Sequence, residues 1–333
     1  MSGGRVAGLD VLRGLAILLV MLRHAVPDVF AGAGVVGVVM FFTLSGYLIT
    51  GVLTTELGTT GRIDYRRFYL RRARRLLPAL VVLAAVFAVV TLVFDPLGDR
   101  DRLPATVAVL LAFTGNLPLA DVSAAAFHSW TLATEEQFYL LWPALLALAL
   151  AWARGRVGAA LAATAVAVLG ACVAVLAWLW PYADNAYVLP TSWFLCFVIG
   201  AATRLRGDAS WVPAALVPLV LAALAALSVV PLRGHAVTYL VAGPAIACFT
   251  AVLLLAWSRW TDAAGRVSRV LAALGVVSYG AYLWNYPLTL WLRPDLGAAA
   301  GPAAAALTIV AAALSRRFVE EPVMRKVRTH GSP

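Results

Sequence analysis

Long apolar stretches, separated by short polar ones, dominate the hydrophobic pattern of the chain. A helix needs roughly 20 predominantly apolar residues to cross about 30 Å of hydrocarbon. Eleven stretches approach this length, and each is a candidate span. They are 9–26, 35–55, 76–94, 104–119, 130–153, 157–180, 190–205, 211–231, 236–257, 274–293 and 298–318. The pattern therefore predicts an all-α membrane bundle.

The basic residues between these stretches indicate how the bundle is threaded. The densest run, from Arg62 to Arg75, follows the second stretch and is expected in the cytoplasm. If all eleven stretches crossed, the later basic loops, which include Arg154, would lie outside. Stretch 104–119 is interrupted by Pro104, Gly115, Asn116 and Pro118. If this stretch does not cross the membrane, every basic loop lies in the cytoplasm.

We therefore predict a polytopic bundle of about ten transmembrane helices in a single domain, residues 1–333, with both termini cytoplasmic. Residues 95–129 form an outer or re-entrant segment in this prediction. Arg13 interrupts the first stretch, so we do not expect a cleaved signal peptide there.

Composition agrees with a membrane protein. The chain is 62% apolar and 13% charged, whereas soluble domains run at about 45–50% and about 25%. Its net charge of +10 would suggest nucleic-acid binding in a soluble protein, but here the arginines separate spans, so we expect membrane lipid and no nucleic acid as a partner. The three cysteines lie inside apolar stretches, which argues against a disulfide framework or a metal cluster.

The first helix carries three ionisable residues, and charges at membrane depth are costly enough to suggest function. Asp10, Arg13 and His24 fall on one helix face, with His24 roughly 16 Å beyond Arg13. An imidazole, with an unperturbed pKa of about 6.5, suits proton transfer near neutral pH. The alternatives are a His24 satisfied by a neighbouring helix and an Asp10 that simply pairs with Arg13.

A cluster of arginines precedes Pro78. Arg71, Arg72 and Arg75 could bind a polyphosphate, because guanidinium groups bind phosphate oxygens bidentately. The alternatives are topology marking and contact with anionic lipid headgroups. The sequence alone does not decide between them.

Polar residues also interrupt the second and fifth stretches. Ser45 precedes Gly46, so this pair could serve either a polar site or close helix packing. Trp130, Glu135 and Tyr139 open the fifth stretch. Glu135 could orient His24 or a hydroxyl substrate, or it could only favour the positive end of its helix.

The run 278–287 in the tenth stretch contains four aromatic residues, an amide and a proline. Tyr282 and Asn285 are its candidate site residues, since aromatic faces suit sugars or flat ligands. An aromatic belt at the membrane interface is the alternative.

These runs, in this order, resemble the integral-membrane acyltransferase 3 family, which includes bacterial O-acetyltransferases of envelope sugars and macrolide acyltransferases. The resemblance covers nearly the whole chain. It rests on Arg13-x10-His24, Phe41-Phe42-x-x-Ser45-Gly46-x-x-Ile49, Phe68-x-x-Arg71-Arg72-x-x-Arg75-x-x-Pro78, Trp130-Thr131-Leu132-x-x-Glu135-x-x-Phe138-Tyr139, Ser278-Tyr279 through Pro287, and Glu321-Pro322. Asn285 is a departure, because the family often carries a histidine there.

The resemblance implies transfer of an acyl group, commonly acetyl, from acyl-CoA to a hydroxyl of a sugar, glycan or macrolide. His24, oriented by Glu135, would act as general base, with an acyl-histidine intermediate as the less favoured variant. Arg13 would steady the thioester oxygen or guide the pantetheine arm, and Arg71, Arg72 and Arg75 would hold the CoA phosphates.

The remaining candidates, Ser45, Trp130, Tyr139, Tyr282 and Asn285, would bind substrate. We expect no metal and no permanently bound cofactor, a location in the bacterial inner membrane, and a membrane-only form with no fused hydrolase-like domain. A proton-coupled transporter or flippase of a lipid or glycan is the alternative function.

Overall fold

The computed structural model describes residues 6–152, 156–207 and 212–324, and every regular element within them is helical. The all-α prediction is confirmed. The α-helices are α1 (Ala7–Ala25), α2 (Ala33–Thr60), α3 (Tyr65–Val93), α4 (Leu103–Ala112), α5 (Ser129–Trp152), α6 (Val157–Trp178), α7 (Phe194–Arg206), α8 (Leu216–Val229), α9 (Gly243–Trp257), α10 (Arg266–Val276), α11 (Ser278–Leu296) and α12 (Ala300–Ser315). Arg154 and both chain termini lie outside the described residues, so the cytoplasmic termini stay a prediction.

Five helical segments of the described chain are long and apolar enough to cross a membrane. They are Ala33–Thr60, Tyr65–Val93, Val157–Trp178, Thr238–Trp257 and Ser278–Met324. Helix α1 has 19 residues but carries Asp10, Arg13 and Arg23, which lower its apolar character. The predicted count of about ten spans stays a prediction.

The segment Ser278–Met324 folds back on itself. Gly297, with φ +51°, ends α11 in the left-handed region that favours glycine. Helix α12 then returns antiparallel to α11, so that a Cβ on Gly280 would lie 3.2 Å from Ala312 Cα. This segment therefore consists of two helices in a hairpin.

Two boundaries differ from the predicted spans. The stretch 274–293 is not one helix, because the chain breaks at Val277 between α10 and α11. Helix α3 begins well before residue 76, since the Asp64 side chain accepts a hydrogen bond from the Arg67 amide at 2.9 Å and caps it. The arginine run is consequently helical.

The stretch 104–119 contains only a short helix. Helix α4 has 10 residues, about 15 Å at 1.5 Å per residue, and ends where Phe113 adopts φ +54°. That is about half the hydrocarbon thickness, as expected for a segment that does not cross.

By proximity the residues group into two compact units. The first comprises 1–23, 27–63 and 134–276, and the second comprises 24–26, 64–133 and 277–333. Both α1 and α5 contribute residues to each unit. The break at Val277 coincides with a unit boundary, and the prediction of a single domain stays a prediction.

The first unit is built on the close approach of α2 and α7. A Cβ on Gly46 would lie 2.0 Å from the Phe197 carbonyl oxygen, and one on Gly200 would lie 2.0 Å from that of Thr43. Phe138 of α5 stacks on Phe197 with ring centroids 4.4 Å apart. Small residues thus let these helices touch backbone to backbone.

The second unit has an apolar core shared by α3, α5 and the α11–α12 hairpin. Leu80 and Leu83 of α3 pack with Leu132 and Leu283, all buried. A second cluster joins Phe87 to Trp291, with ring centroids 5.1 Å apart. This core holds α11 against α3 and so positions the polar residues of α11.

Candidate active site

His24, at the end of α1, belongs to the second unit and forms a hydrogen bond to α11. Its Nδ1 lies 2.6 Å from Asn285 Oδ1. Asn285 Nδ2 donates to Thr308 Oγ1 at 3.2 Å, on the side of the carboxamide away from the imidazole. Because that oxygen can only accept, His24 Nδ1 carries the proton and Nε2 carries the lone pair. Asn285 thus accepts the Nδ1 proton of His24 and leaves Nε2 as the unprotonated ring nitrogen.

Two further contacts hold the end of α1 in this unit. Gly301 of α12 touches Ala25 so closely that a Cβ on Gly301 would lie 2.5 Å from Ala25 Cα. The Tyr286 ring packs edge-on against His24, with centroids 4.9 Å apart. The imidazole is half-buried, so its position is determined by packing as well as by its hydrogen bond.

A second histidine, His128, packs against the same tyrosine. Its ring centroid lies 5.7 Å from that of Tyr286 and 5.8 Å from that of Tyr282. It precedes α5 in a turn after a short 3-10 segment, Ala124–Ala126. Sequence reasoning passed over His128, although it is one of only four histidines and stands two residues before Trp130.

The backbone of His128 is tied down from two sides. The hydroxyl oxygens of Thr131 and Tyr282 are 2.5 Å apart. They lie 3.0 and 3.1 Å, respectively, from the His128 carbonyl oxygen. Trp130, between these residues, is 2% exposed. The structure therefore brings Trp130, Tyr282, Asn285 and His24 into one unit.

Burial strongly affects the ionisation of His128. Burial first, and then the charge of the nearby His24, lower its pKa to about 3 against the opposing effect of backbone hydrogen-bonding groups at Ala125 and Leu283. His128 is consequently a neutral imidazole at physiological pH.

The arginines of α3 also belong to the second unit. Arg71 and Arg75 are exposed and one turn apart on the same helix face, with Arg67 and Arg74 close to them. Arg72 points about 100° away from Arg71 and is half-buried. This exposed cationic face can bind a multiply charged anion.

Glu135 lies in the first unit, where two hydroxyls converge on it. Ser45 Oγ and Tyr139 Oη both donate to Glu135 Oε1. Five residues after Ser45 on α2, Thr50 Oγ1 accepts a hydrogen bond from Trp142 Nε1 of α5 at 2.8 Å. Three predicted site residues, Ser45, Glu135 and Tyr139, therefore form one hydrogen-bonded cluster. Orientation of His24 by Glu135 stays a prediction, since the imidazole hydrogen bond that we describe is to Asn285.

Arg13 also lies in the first unit and pairs with its helix neighbour. Arg13 Nη1 is 3.9 Å from Asp10 Oδ1, and Asp10 is buried. Gly275 of α10 packs against the backbone at Asp10, where a Cβ would lie 1.8 Å from the Asp10 carbonyl oxygen. The structure thus contains the Asp10–Arg13 pair that was the alternative to a functional Asp10, and the role of Arg13 toward a thioester stays a prediction.

Comparison with known proteins agrees with the motifs. Peptidoglycan O-acetyltransferase OatA of Listeria monocytogenes is 26% identical over 383 residues, covering 96% of this chain and 56% of that protein. YrhL of Bacillus subtilis, which is named provisionally as a peptidoglycan O-acetyltransferase, is 30% identical over 365 residues. That match covers 98% of this chain and 55% of YrhL. The chain thus spans little more than half the length of these relatives. No solved structure matches it.

The family comparison covers both units. A family model described as an acyltransferase domain matches residues 6–315. It includes the residues from Arg13 to Asn285 on which the resemblance rests. The chain therefore belongs to the acyltransferase 3 family.

Proposed function

We propose that the protein transfers an acetyl group from acetyl-CoA to a hydroxyl of an envelope glycan, with peptidoglycan as the favoured acceptor, in the bacterial inner membrane. Family membership supports acyl transfer, and the names of the two relatives support a peptidoglycan acceptor. The observation that carries the mechanism is the hydrogen bond from His24 Nδ1 to Asn285 Oδ1.

The tautomer of His24 supports its role as general base. With Nδ1–H donated to Asn285, Nε2 is the nitrogen that can take a proton from the acceptor hydroxyl. The hydroxyl oxygen then attacks the thioester carbonyl carbon and the carbon–sulfur bond breaks. The proton passes from His24 to the departing CoA thiolate, which leaves the imidazole ready for another turnover.

The cationic face of α3 supports CoA as the donor. Its exposed guanidinium groups on successive turns match a ligand with several phosphates. Arg71 and Arg75 would hold the phosphates of CoA, and Arg72 would contribute from the adjacent half-buried position. Acyl-CoA is a substrate here, not a resident cofactor.

The other predicted residues enter the proposal as follows. Trp130, Tyr282 and Asn285 of the second unit line the acceptor position next to His24. Ser45 and Tyr139, held by Glu135, form a polar cluster for substrate in the first unit. Arg13 lies roughly 16 Å from His24 along α1, and its proposed role is to guide the pantetheine arm of the donor.

The base assignment is tested by acetyl transfer from radiolabelled acetyl-CoA to a peptidoglycan disaccharide, with purified protein in lipid nanodiscs. The His24→Ala variant should lose about 10²–10⁴-fold in kcat, the usual contribution of a general base. The matched control is His235→Ala, an exposed histidine of the first unit, which should retain wild-type activity. Full activity of the His24→Ala variant would refute the assignment.

The donor site is tested by CoA binding to the double variant Arg71→Ala/Arg75→Ala. Its Kd should rise at least tenfold, and CoA should no longer raise the melting temperature, because a ligand stabilises only the fold it binds. Arg66→Ala is the control, since Arg66 lies on the opposite face of α3. Unchanged CoA affinity in the double variant would exclude this site, and a wild-type protein that CoA does not stabilise would favour the transporter alternative.

A further inference from the structure

The buried imidazole of His128 forms no well-formed hydrogen bond within the part of the chain that the structure describes. Backbone groups at Ala125 and Leu283 lie near enough to raise its pKa, but neither ring nitrogen has the distance and angle of a hydrogen bond to any residue that the structure describes, and the residue is 5% exposed. Buried polar groups in proteins are nearly always hydrogen-bonded, because an unsatisfied one costs free energy. A buried imidazole with an orphaned N–H and an orphaned lone pair therefore points to a ligand that completes it.

The surroundings of His128 relate it to the proposed base. The Tyr286 ring contacts His24 on α1 and also His128 in the turn before α5. Tyr282 adds a second aromatic contact, and its hydroxyl approaches the His128 backbone, which limits movement of the turn. The imidazole is thus held in one place in the same unit as His24.

The two imidazoles differ in what they can do. His128 is buried and keeps its neutral form, and a positive charge on His24 disfavours protonation of His128 further. A group that stays neutral is a poor base, but its N–H remains a hydrogen-bond donor throughout the reaction. When their environments push the pKa values of two titratable groups apart, the two groups can take different catalytic roles.

We propose that His128 donates its neutral imidazole N–H to the carbonyl oxygen of the acyl group while the acceptor hydroxyl attacks it. This inference rests on the proposed acyl transfer. As the new carbon–oxygen bond forms, negative charge develops on the carbonyl oxygen and His128 stabilises it. The hydroxyl proton goes to His24, and the charge returns to re-form the carbonyl as the CoA thiolate leaves.

The test compares two substitutions of similar size in the acetyl-CoA assay. His128→Met lacks a donor and should lose about 10²–10³-fold in kcat, as when one oxyanion donor is removed, with the Kd for CoA unchanged. His128→Gln keeps an N–H donor and should stay within about tenfold of wild type. Its pH–rate profile should keep the wild-type acid limb, because His24 supplies that limb and Tyr282 and Tyr286 are the other titratable groups packed on His128.

The outcomes of this comparison separate the possibilities. Wild-type kcat in the His128→Met variant overturns the proposal, and so does a His128→Gln variant as inactive as His128→Met. If His128→Met does not fold, as judged by its melting curve and elution profile, His128→Gln decides alone: retained activity supports donation and lost activity overturns it. Absence of any acetyl transfer by the wild-type protein would instead refute the proposed function.

Discussion

Replacing Asn285 tests whether this amide, unusual for the family, sets the geometry of the base. Asn285 Oδ1 accepts the Nδ1 proton of His24 at 2.6 Å, and Asn285 Nδ2 donates to Thr308 at 3.2 Å. Asn285→Leu removes both hydrogen bonds while it keeps a side chain of similar volume. Thr308→Val removes only the second bond and leaves the acceptor for His24 in place.

The expected magnitude follows from the hydrogen bond that Asn285→Leu removes. When His24 takes up a proton, the bond to Asn285 becomes charge-assisted and is worth about 1.5–3 kcal/mol. At about 1.4 kcal/mol per tenfold, kcat should fall by about 10- to 150-fold. Thr308→Val removes a neutral bond of about 1 kcal/mol, which should appear as lower thermal stability with kcat within a few-fold of wild type.

The assay is acetyl transfer in nanodiscs, with kcat, KM and the melting temperature measured for each variant. Asn285→Asp provides a further check, because its carboxylate stabilises the protonated imidazole and should move the acid limb of the pH–rate profile to higher pH. Wild-type kcat in Asn285→Leu, or equal losses in Asn285→Leu and Thr308→Val, would refute the argument that Asn285 orients the base.

Three further predictions concern stability. The unfolded chain protonates His128 near its usual pKa of about 6.5, whereas burial holds the pKa in the folded protein at about 3. Between these two pH values the free energy of unfolding should therefore fall by up to about 1.4 kcal/mol for each unit of acidification. The melting temperature of the wild-type protein should then drop more steeply on acidification than that of His128→Gln. Glu135→Ala leaves two donating hydroxyls without their acceptor and should cost about 1–3 kcal/mol. A melting temperature equal to that of Asp262→Ala, which removes an exposed carboxylate of the first unit, would contradict the cluster. Gly301→Ala should push α12 away from the end of α1 and destabilise the protein by about 1–3 kcal/mol through overpacking. The control is Gly170→Ala in α6, where a Cβ meets nothing within 4 Å. Equal melting temperatures for the two variants would count against the close contact.

Much of the fold was predictable because it follows from local pattern. Apolar stretches of helical length predicted an all-helical chain, and a helix of 10 residues does occur where Pro104 and Gly115 interrupt the pattern. The break at Val277 was not predictable from hydropathy, because the chain stays largely apolar on both sides of it, although Gly275 and Gly280 are weak helix formers. It separates a helix that packs in one unit from a helix that packs in the other.

The sequence predicted which residues belong to the candidate site but not which of them form hydrogen bonds with each other. Spacing along α1 identified Arg13 and His24, since charges at such positions are costly and stand out. The hydrogen-bonding partner of His24 is Asn285, 261 residues away, and the partners of Glu135 include Ser45, 90 residues away. No short-range rule relates residues at those separations.

The sequence by itself determined that this protein is helical, that it belongs to an acyltransferase family, and which side chains are candidates for its chemistry. Only the tertiary structure decided that Asn285 sets the tautomer of His24, and that His128 is buried, neutral and without a well-formed hydrogen bond among the described residues. The physical reason is range. Helix formation and hydropathy depend on residues a few positions apart, whereas pairing and burial depend on how distant helices pack, which many small contacts decide together.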